Sequence, residues 1–201
     1  MATNTRVRIL DVTAEMFRRY GYTGTGLKQI VASANAPFGS LYHHFPGGKE
    51  QLGTEVIRRA GQMYFDLVIA IFDAAPDIVR GTHDIFRGAA AVLQATDYAD
   101  ACPIETVALE VASTNEPLRQ ATADVFESWI VGASERLIRA GVQPAKAREL
   151  AIALITAIEG AFVLARAMRS TEPLEAAAVS IVNAMRDALP AAPVAAAEGE
   201  S

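Results

Sequence analysis

The stretch 145–169, AKARELAIALITAIEGAFVLARAMR, constrains this chain more than any other. Leu150, Ile152, Leu154, Ile155, Ile158, Phe162, Val163 and Leu164 fall at spacings that put apolar side chains on nearly every side of a helix. Such a helix cannot lie on a surface with one face in water; it has to be covered on two faces. Glu159 and Arg166 interrupt the run too soon for a membrane-spanning segment, which needs about 20 predominantly apolar residues. The stretch reads as the centre of a helical bundle, and it calls for a partner surface as well.

The rest of the chain is punctuated for helices, and nothing in it alternates like a strand ladder. Val7, Leu10, Ala14 and Phe17 form one face of a first helix that stops at Tyr20-Gly21. Two short periodic pieces follow, over 27–34 and 38–45, separated by Asn35-Ala36-Pro37. After the turn Pro46-Gly47-Gly48 a longer helix starts near Lys49, carries Leu52, Val56, Ala60, Met63 and Leu67 inward, and ends before Pro76. Further helices are expected over 78–96, 103–112, 117–140, 145–169 and 173–189, with Pro103, Pro117, Pro144 and Pro173 at or just before their first turns. The class is all-α, with about nine helices. The single cysteine excludes an internal disulfide and any multi-cysteine metal site. Residues 1–20 carry Arg6, Arg8, Asp11 and Glu15 without an apolar block, so a cytoplasmic protein without a signal peptide is expected.

The net charge of −5 hides an asymmetry. Residues 1–61 hold eight Lys/Arg against four acids, a balance of +4, whereas the remaining 140 hold ten against nineteen, a balance of −9. A basic segment next to an acidic one suits an anion-binding module joined to a unit with another partner, although chance clustering gives the same arithmetic.

The pattern over 21–52, GYTGTGLKQIVASANAPFGSLYHHFPGGKEQL, narrows the choice. Two short helices joined by a turn make a helix-turn-helix, whose second helix can enter the major groove of double-stranded DNA. Thr25 stands where it could cap the first of them and offer its hydroxyl to a phosphate. Asn35 tolerates the left-handed conformation the turn requires. Leu41 and Phe45, four apart, would anchor the second helix to Phe17 and Ile30. Tyr42 and His43 then project to the opposite side, with Ser40 and Lys28 nearby and Lys49 on the flank. His44, Pro37 and Phe38 complete the candidate DNA-contacting set.

In this order the motifs resemble the TetR family of transcriptional regulators, whose N-terminal three helices end in L-Y-x-x-F followed by a lysine, here Leu41-Tyr42-His43-His44-Phe45 and Lys49. The additional glycine in Phe45-Pro46-Gly47-Gly48-Lys49-Glu50-Gln51-Leu52 resembles the LmrA/YxaF-type branch. So do Cys102-Pro103-Ile104-Glu105 with Val107-Ala108-Leu109-Glu110, and Glu159-Gly160-Ala161 with Arg166. Ala34-Asn35-Ala36 stands where the family commonly has Ala-Gly-Val or Ala-Gly-Ala, and Phe38 where the branch often has arginine. The resemblance implies a DNA-binding domain over 1–48 and an effector-binding and dimerisation domain over 49–189, while composition, all Pro, Ala, Gly and acids with one valine, predicts a disordered tail over 190–201 up to its final Ser201. It implies a homodimeric repressor, released from a pseudo-palindromic operator by a small aromatic or amphipathic effector. The last two long helices would pair with those of a second copy, through Ile152, Ile158, Val163, Leu174 and Ile181.

Within 62–140 and the inner face of 147–167, Tyr64, Phe86, Phe126, Trp129 and Phe162 come from different helices and either pack a core or surround an effector cavity. Leu93, Leu109 and Ile155 join them as apolar candidates, and Glu105 and Glu159 as polar ones. Glu159 is too costly to bury unpaired, so it pairs with Arg166 or Arg136, reaches a ligand, or lies at an interface edge. Cys102 is either a small filler or a thiol activated at a helix start. No Ser-His-Asp group, catalytic carboxylate pair or phosphate-cradling loop is present, and the three histidines lack partners at ligand spacing. No enzyme activity, metal or cofactor is expected. The rival reading is a helical small-molecule-binding protein or enzyme of the same fold that does not bind DNA.

Overall fold

The computed structural model describes residues 4–190, so the tail expected over 190–201 lies, beyond Pro190, outside the described residues. Among the described residues there are nine helices and no strand: α1 (Thr5–Tyr20), α2 (Leu27–Ser33), α3 (Phe38–His44), α4 (Gly48–Ala74), α5 (Ile78–Ala95), α6 (Pro103–Val111), α7 (Glu116–Arg139), α8 (Pro144–Met168) and α9 (Glu172–Ala188). Their limits follow local chemistry. Asn4, Asp77 and Asn115 accept hydrogen bonds from the free N–H groups that open α1, α5 and α7. Proline occupies the first turn of α6, α7, α8 and α9, where its missing N–H leaves no helical bond unmade.

Two apolar cores result. The first lies under α1, α2 and α3, where Ile9, Phe17, Ile30, Leu41 and Phe45 are fully buried, and runs on through Leu52, Ile57, Ile104, Val107 and Leu118 of α4, α6 and α7. The second joins α5, α7, α8 and α9 through Phe86, Leu93, Leu137, Leu154, Leu174 and Met185. The two long helices α4 and α7 link the cores and lie close together. A Cβ at Gly61 would run into Val125, and one at Gly132 into Phe65.

The all-round apolar character of α8 resolves into three stripes. Leu150, Ala151, Leu154, Ala161 and Ala165 are buried in the second core. Ile155, Ile158, Glu159 and Phe162 face an internal cavity. Ile152, Val163, Leu164 and Met168 remain exposed, at 43%, 46%, 55% and 57%. By length and composition α8 could cross a membrane, but here it packs between α7 and α9.

Several expected positions are corrected by this packing. Leu174 and Ile181 are spent inside the chain's own core on α9, and the exposed apolar residue there is Val179, one residue beyond Ala178. Ile158 faces the cavity instead of the outer side of α8. Met63 and Leu67 are each 55% exposed, because α4 turns its Gly53, Val56, Ile57, Ala60 and Gly61 side inward. Leu41→Ala, which empties the centre of the first core, should cost about 2–5 kcal/mol of stability in denaturant unfolding.

Candidate nucleic-acid interface and internal cavity

The reading head is built from short elements that depend on their neighbours. α2 and α3 have seven residues each, too few to hold a helix in isolation. Between them Asn35 takes φ 47, and Ala36 N–H donates to Val31 O at 2.9 Å, closing the turn. α1 braces that turn: Arg8 Nε donates to Ala34 O at 3.1 Å. Leu41 and Phe45 on the inner side of α3 are fully buried. The opposite side carries Phe38, Tyr42 and His43 to solvent, the first two in edge contact at 5.8 Å between ring centres. Pro37 precedes the helix and is exposed, Ser40 is half-buried, and His44 is half-buried with its ring edge-on to His43 at 4.9 Å.

Two of the expected contacts change character. Thr25 is fully buried and its hydroxyl donates to Gly21 O at 2.6 Å, so it neither caps α2 nor meets a phosphate. Gly26 is the cap position, and its N–H is taken up by the Gln29 side chain at 3.1 Å. Lys49 lies over the Tyr22 ring with Nζ 4.4 Å from its centre, and partial burial lowers its pKa. It acts as a brace between α4 and the loop after α1.

The basic excess of this segment is also largely consumed internally. Arg6 pairs with Glu55, Arg59 with Asp11 at 2.8 Å, and Arg18 and Arg19 with Asp100 at 3.7 and 3.5 Å. Lys28, on the exposed side of α2, makes no ion pair among the described residues.

Behind the reading head lies a cavity of about 390 Å³. α4 supplies Tyr64, Phe65 and Phe72, α5 Ile85, Ala89 and Val92, α7 Trp129 and Ala133, and α8 Ile155, Ile158, Glu159 and Phe162. Arg18 of α1 and the segment Asp100–Cys102 complete the wall. Trp129 is held by its indole N–H, which donates to Gly61 O at 3.0 Å. Five of the ten residues proposed from the sequence therefore line this space: Tyr64, Trp129, Ile155, Glu159 and Phe162. The other five do not. Phe86 and Leu93 lie one stripe round α5 from Ile85, Ala89 and Val92 and are buried in the second core. Phe126 stands behind Trp129, edge-on at 5.6 Å. Leu109 is 76% exposed, because α6 buries Ile104, Val107 and Val111. Glu105 is half-buried beside the cavity wall rather than in it. A depression of about 800 Å³ near the α4–α5 junction is open to solvent, and its charges are already paired, Asp84 with Arg80 and Arg87 at 3.0 Å each.

Sequence reasoning missed Arg18 and Asp100. The signal for Arg18 was only its place after Phe17, because consecutive helical residues point about 100° apart. Nothing local said that the loop before α6 would meet it.

Glu159 has neither of the arginine partners expected for it. Arg136 is bidentate to Asp73 at 3.0 and 2.8 Å, and Arg166 donates to the Tyr98 and Ala99 carbonyls. The carboxylate receives the Cys102 thiol, while its Oε2 is buried without a hydrogen-bond partner. Burial first, and the Glu105 carboxylate second, push its pKa from 4.5 up to about 8. Cys102 is buried, and burial together with Glu159 raises its thiol well above the ordinary range, so it is not an activated nucleophile.

One further contact ties the cavity wall to the reading head. Glu110, near the end of α6, accepts hydrogen bonds from the backbone N–H groups of Tyr22 at 3.1 Å and Thr23 at 2.6 Å. The residue that caps the start of α6, Cys102, lies on the cavity wall.

A three-helix head with an exposed α3 on top of a helical body defines a helix-turn-helix transcriptional regulator. Known proteins agree. Residues 9–56 match the model for bacterial regulatory proteins of the tetR family, and residues 79–180 that for the LmrA/YxaF-like C-terminal domain of transcriptional regulators. The chain is 30% identical over 171 residues to the HTH-type transcriptional regulator LmrA of Bacillus subtilis (strain 168), covering 85% of this chain and 91% of LmrA. It is 27% identical over 182 residues to the HTH-type transcriptional repressor DhaR of Mycobacterium sp. (strain GP1), covering 86% and 88%. The crystal structure of a regulatory protein TetR from Rhodobacter sphaeroides superposes with a TM-score of 0.81 at 20% identity, covering 90% of this chain and 99% of that one. The chain belongs to the TetR family of transcriptional regulators, in its branch with an LmrA/YxaF-like C-terminal domain.

Because folding raises the Glu159 pKa, this group favours the native state most at low pH and loses that contribution as pH climbs from about 4.5 to about 8. Glu159→Gln, which keeps the neutral shape, should therefore raise the melting temperature more at about pH 9 than at about pH 6. Thermal unfolding across that range measures it.

Proposed function

We propose that the chain is a homodimeric repressor released from its operator when a small aromatic or amphipathic molecule fills the cavity. One observation carries this reading: α1 serves both places. Phe17 lies in the core that seats α3, and the next residue, Arg18, lines the cavity and pairs with Asp100 of the segment before α6. A ligand that displaces the Arg18 side chain or the 100–102 segment would shift α1 and the start of α6, and with them the loop that Glu110 grips. Two spacings of the reading heads, one competent for DNA and one not, are then biased by differential ligand affinity.

In this reading residues 1–48 read DNA, 49–189 bind effector and partner, and the protein acts in the cytoplasm. α3 enters the major groove with Tyr42 and His43 foremost, and Pro37, Phe38, Ser40 and His44 around them. Lys28 meets the phosphate backbone. Phe38 gives this helix an apolar, aromatic leading edge, which suits contact with a thymine methyl group. Each copy reads one half-site, and half-sites one helical turn apart are separated by about 34–36 Å, or a multiple of it. The exposed apolar stripe of α8, through Ile152 and Val163, together with Val179 of α9, supplies the dimer face. A second copy there would give α8 the outer cover its sequence demands.

Three measurements test the proposal. Lys28→Ala should weaken operator binding and lower the slope of affinity against salt by about 0.9, Tyr42→Ala should weaken binding with the slope unchanged because its hydroxyl carries no charge, and His43→Ala should also change sequence preference. Val163→Asp and Ile152→Asp place charge on positions exposed in one protomer, so the fold should survive while sedimentation shows monomers and DNA affinity drops. Dimers that persist in both variants would remove α8 from the interface. A compound that quenches Trp129 should release DNA over the same concentration range, and Glu110→Gln should uncouple quenching from release. Quenching without release in the parent protein would show a cavity unconnected to the reading head.

A further inference from the structure

Resting on the reading of this cavity as the effector site, we infer that its effector is a lipophilic cation, a protonated or quaternary amine on an aromatic or apolar body, that takes Glu159 as its counter-ion and expels the carboxyl proton as it binds. Three charged groups of the lining carry buried atoms without a hydrogen-bond partner, Arg18 Nε, Asp100 Oδ1 and Glu159 Oε2, and of these only Glu159 has no opposite charge within ion-pair distance among the described residues. Arg18 faces Asp100 at 3.7 Å and acts on the Tyr64 hydroxyl, so the charges of Arg18 and Asp100 offset each other. Glu159 projects from α8 into the cavity with Oε2 buried and unpartnered. The groups around it leave Glu159 itself without a cation. Cys102 offers a thiol and Glu105 on α6 adds a second acid, while Arg166 on α8 acts on Glu105 and donates to the Tyr98 and Ala99 carbonyls. α5 and α7 contribute only uncharged side chains to the wall.

Three kinds of ligand could meet such a group. An anion is repelled by Glu105 and, once Glu159 ionises, by both acids. A neutral donor satisfies Oε2 while the carboxyl group stays protonated, and it offsets no charge. A cation meets the orphaned oxygen, offsets the charge of Glu159 once it ionises, and finds the aromatic side chains of Tyr64, Phe65, Trp129 and Phe162 in the same lining, a ring type whose faces attract positive charge. Unliganded Glu159 is held protonated at neutral pH by its burial, so the O–H bond breaks on binding, the proton passes to water, and the carboxylate stays behind with the ammonium. Charge is conserved: one cation enters and one proton leaves.

The test uses (2-naphthylmethyl)trimethylammonium, whose charge does not vary with pH, beside its uncharged carbon isostere 2-neopentylnaphthalene, both read by Trp129 fluorescence. Binding that expels a proton strengthens with pH: affinity for the ammonium should rise about tenfold per pH unit below about pH 8 and level off above it, while the isostere shows no such rise. Calorimetry in two buffers of different ionisation enthalpy should find about one proton released per ammonium at about pH 7 in the unaltered protein. Glu159→Gln should abolish the pH slope and weaken the ammonium by tenfold or more at about pH 9, and circular dichroism melting verifies that the variant is folded. If the isostere binds as tightly as the ammonium and no proton is released, the cation inference falls while the cavity stands as an effector site. If neither probe changes Trp129 fluorescence, the inference falls together with the effector reading.

Discussion

The packing of α1 is the constraint on which the rest of the molecule depends. Phe17 is fully buried in the core that holds Leu41 and Phe45, and Arg8 on the same helix bonds to the carbonyls of the α2–α3 turn. Helices of seven residues have too few internal hydrogen bonds to offset their own ordering, so α2 and α3 exist because α1 supplies the surface and the turn contacts. One turn of α1 also supplies Arg18 to the cavity. A helix with both duties cannot shift at one end without disturbing the other.

Charge is used sparingly at this junction. The positive balance of the first 61 residues suggests a broad basic face, yet most of its cations are held by Glu55, Asp11, Asp100 or backbone carbonyls. These pairs fix α1 against α4 and against the loop before α6, which is a positional task as much as an electrostatic one. The carboxylate of Glu110 is spent in the same way, on two backbone N–H groups of the loop after α1. Exposed ion pairs of this kind contribute little stability each, but several that converge on one helix set its orientation.

How much of this was legible beforehand differs by level. Helix limits were close throughout, because caps and prolines act locally: Pro103 and Pro144 opened their helices, and Asn35 took the left-handed turn. The anchoring of α3 by Leu41 and Phe45 was legible too, since four-residue spacing fixes a face whatever lies beyond it. The cavity was legible only in part. Phe86 and Leu93 carried the right chemistry on α5, but the wall takes the neighbouring stripe. Ile158 and Ile152 look alike in sequence, six residues apart on one apolar helix, yet one faces the cavity and the other solvent. Thr25 read as a cap because its type and place allow one; the Gly21 carbonyl four residues earlier competed for its hydroxyl and won.

Local patterning was enough to set the class of the molecule: all-α, with a short-helix reading head and a central helix apolar on every side. Those properties come from interactions within one or two turns of chain, where periodicity, caps and breakers act. Tertiary structure alone decided what each side of α8 does, since three apolar stripes are equivalent until neighbours arrive. It also decided that Glu159 would go without an arginine. Arg136 and Arg166 are near enough in sequence terms to be candidates, but Asp73 and the Tyr98 and Ala99 carbonyls reach them first. Partner choice among long, flexible charged side chains depends on distances set by the whole bundle, and no local rule encodes them.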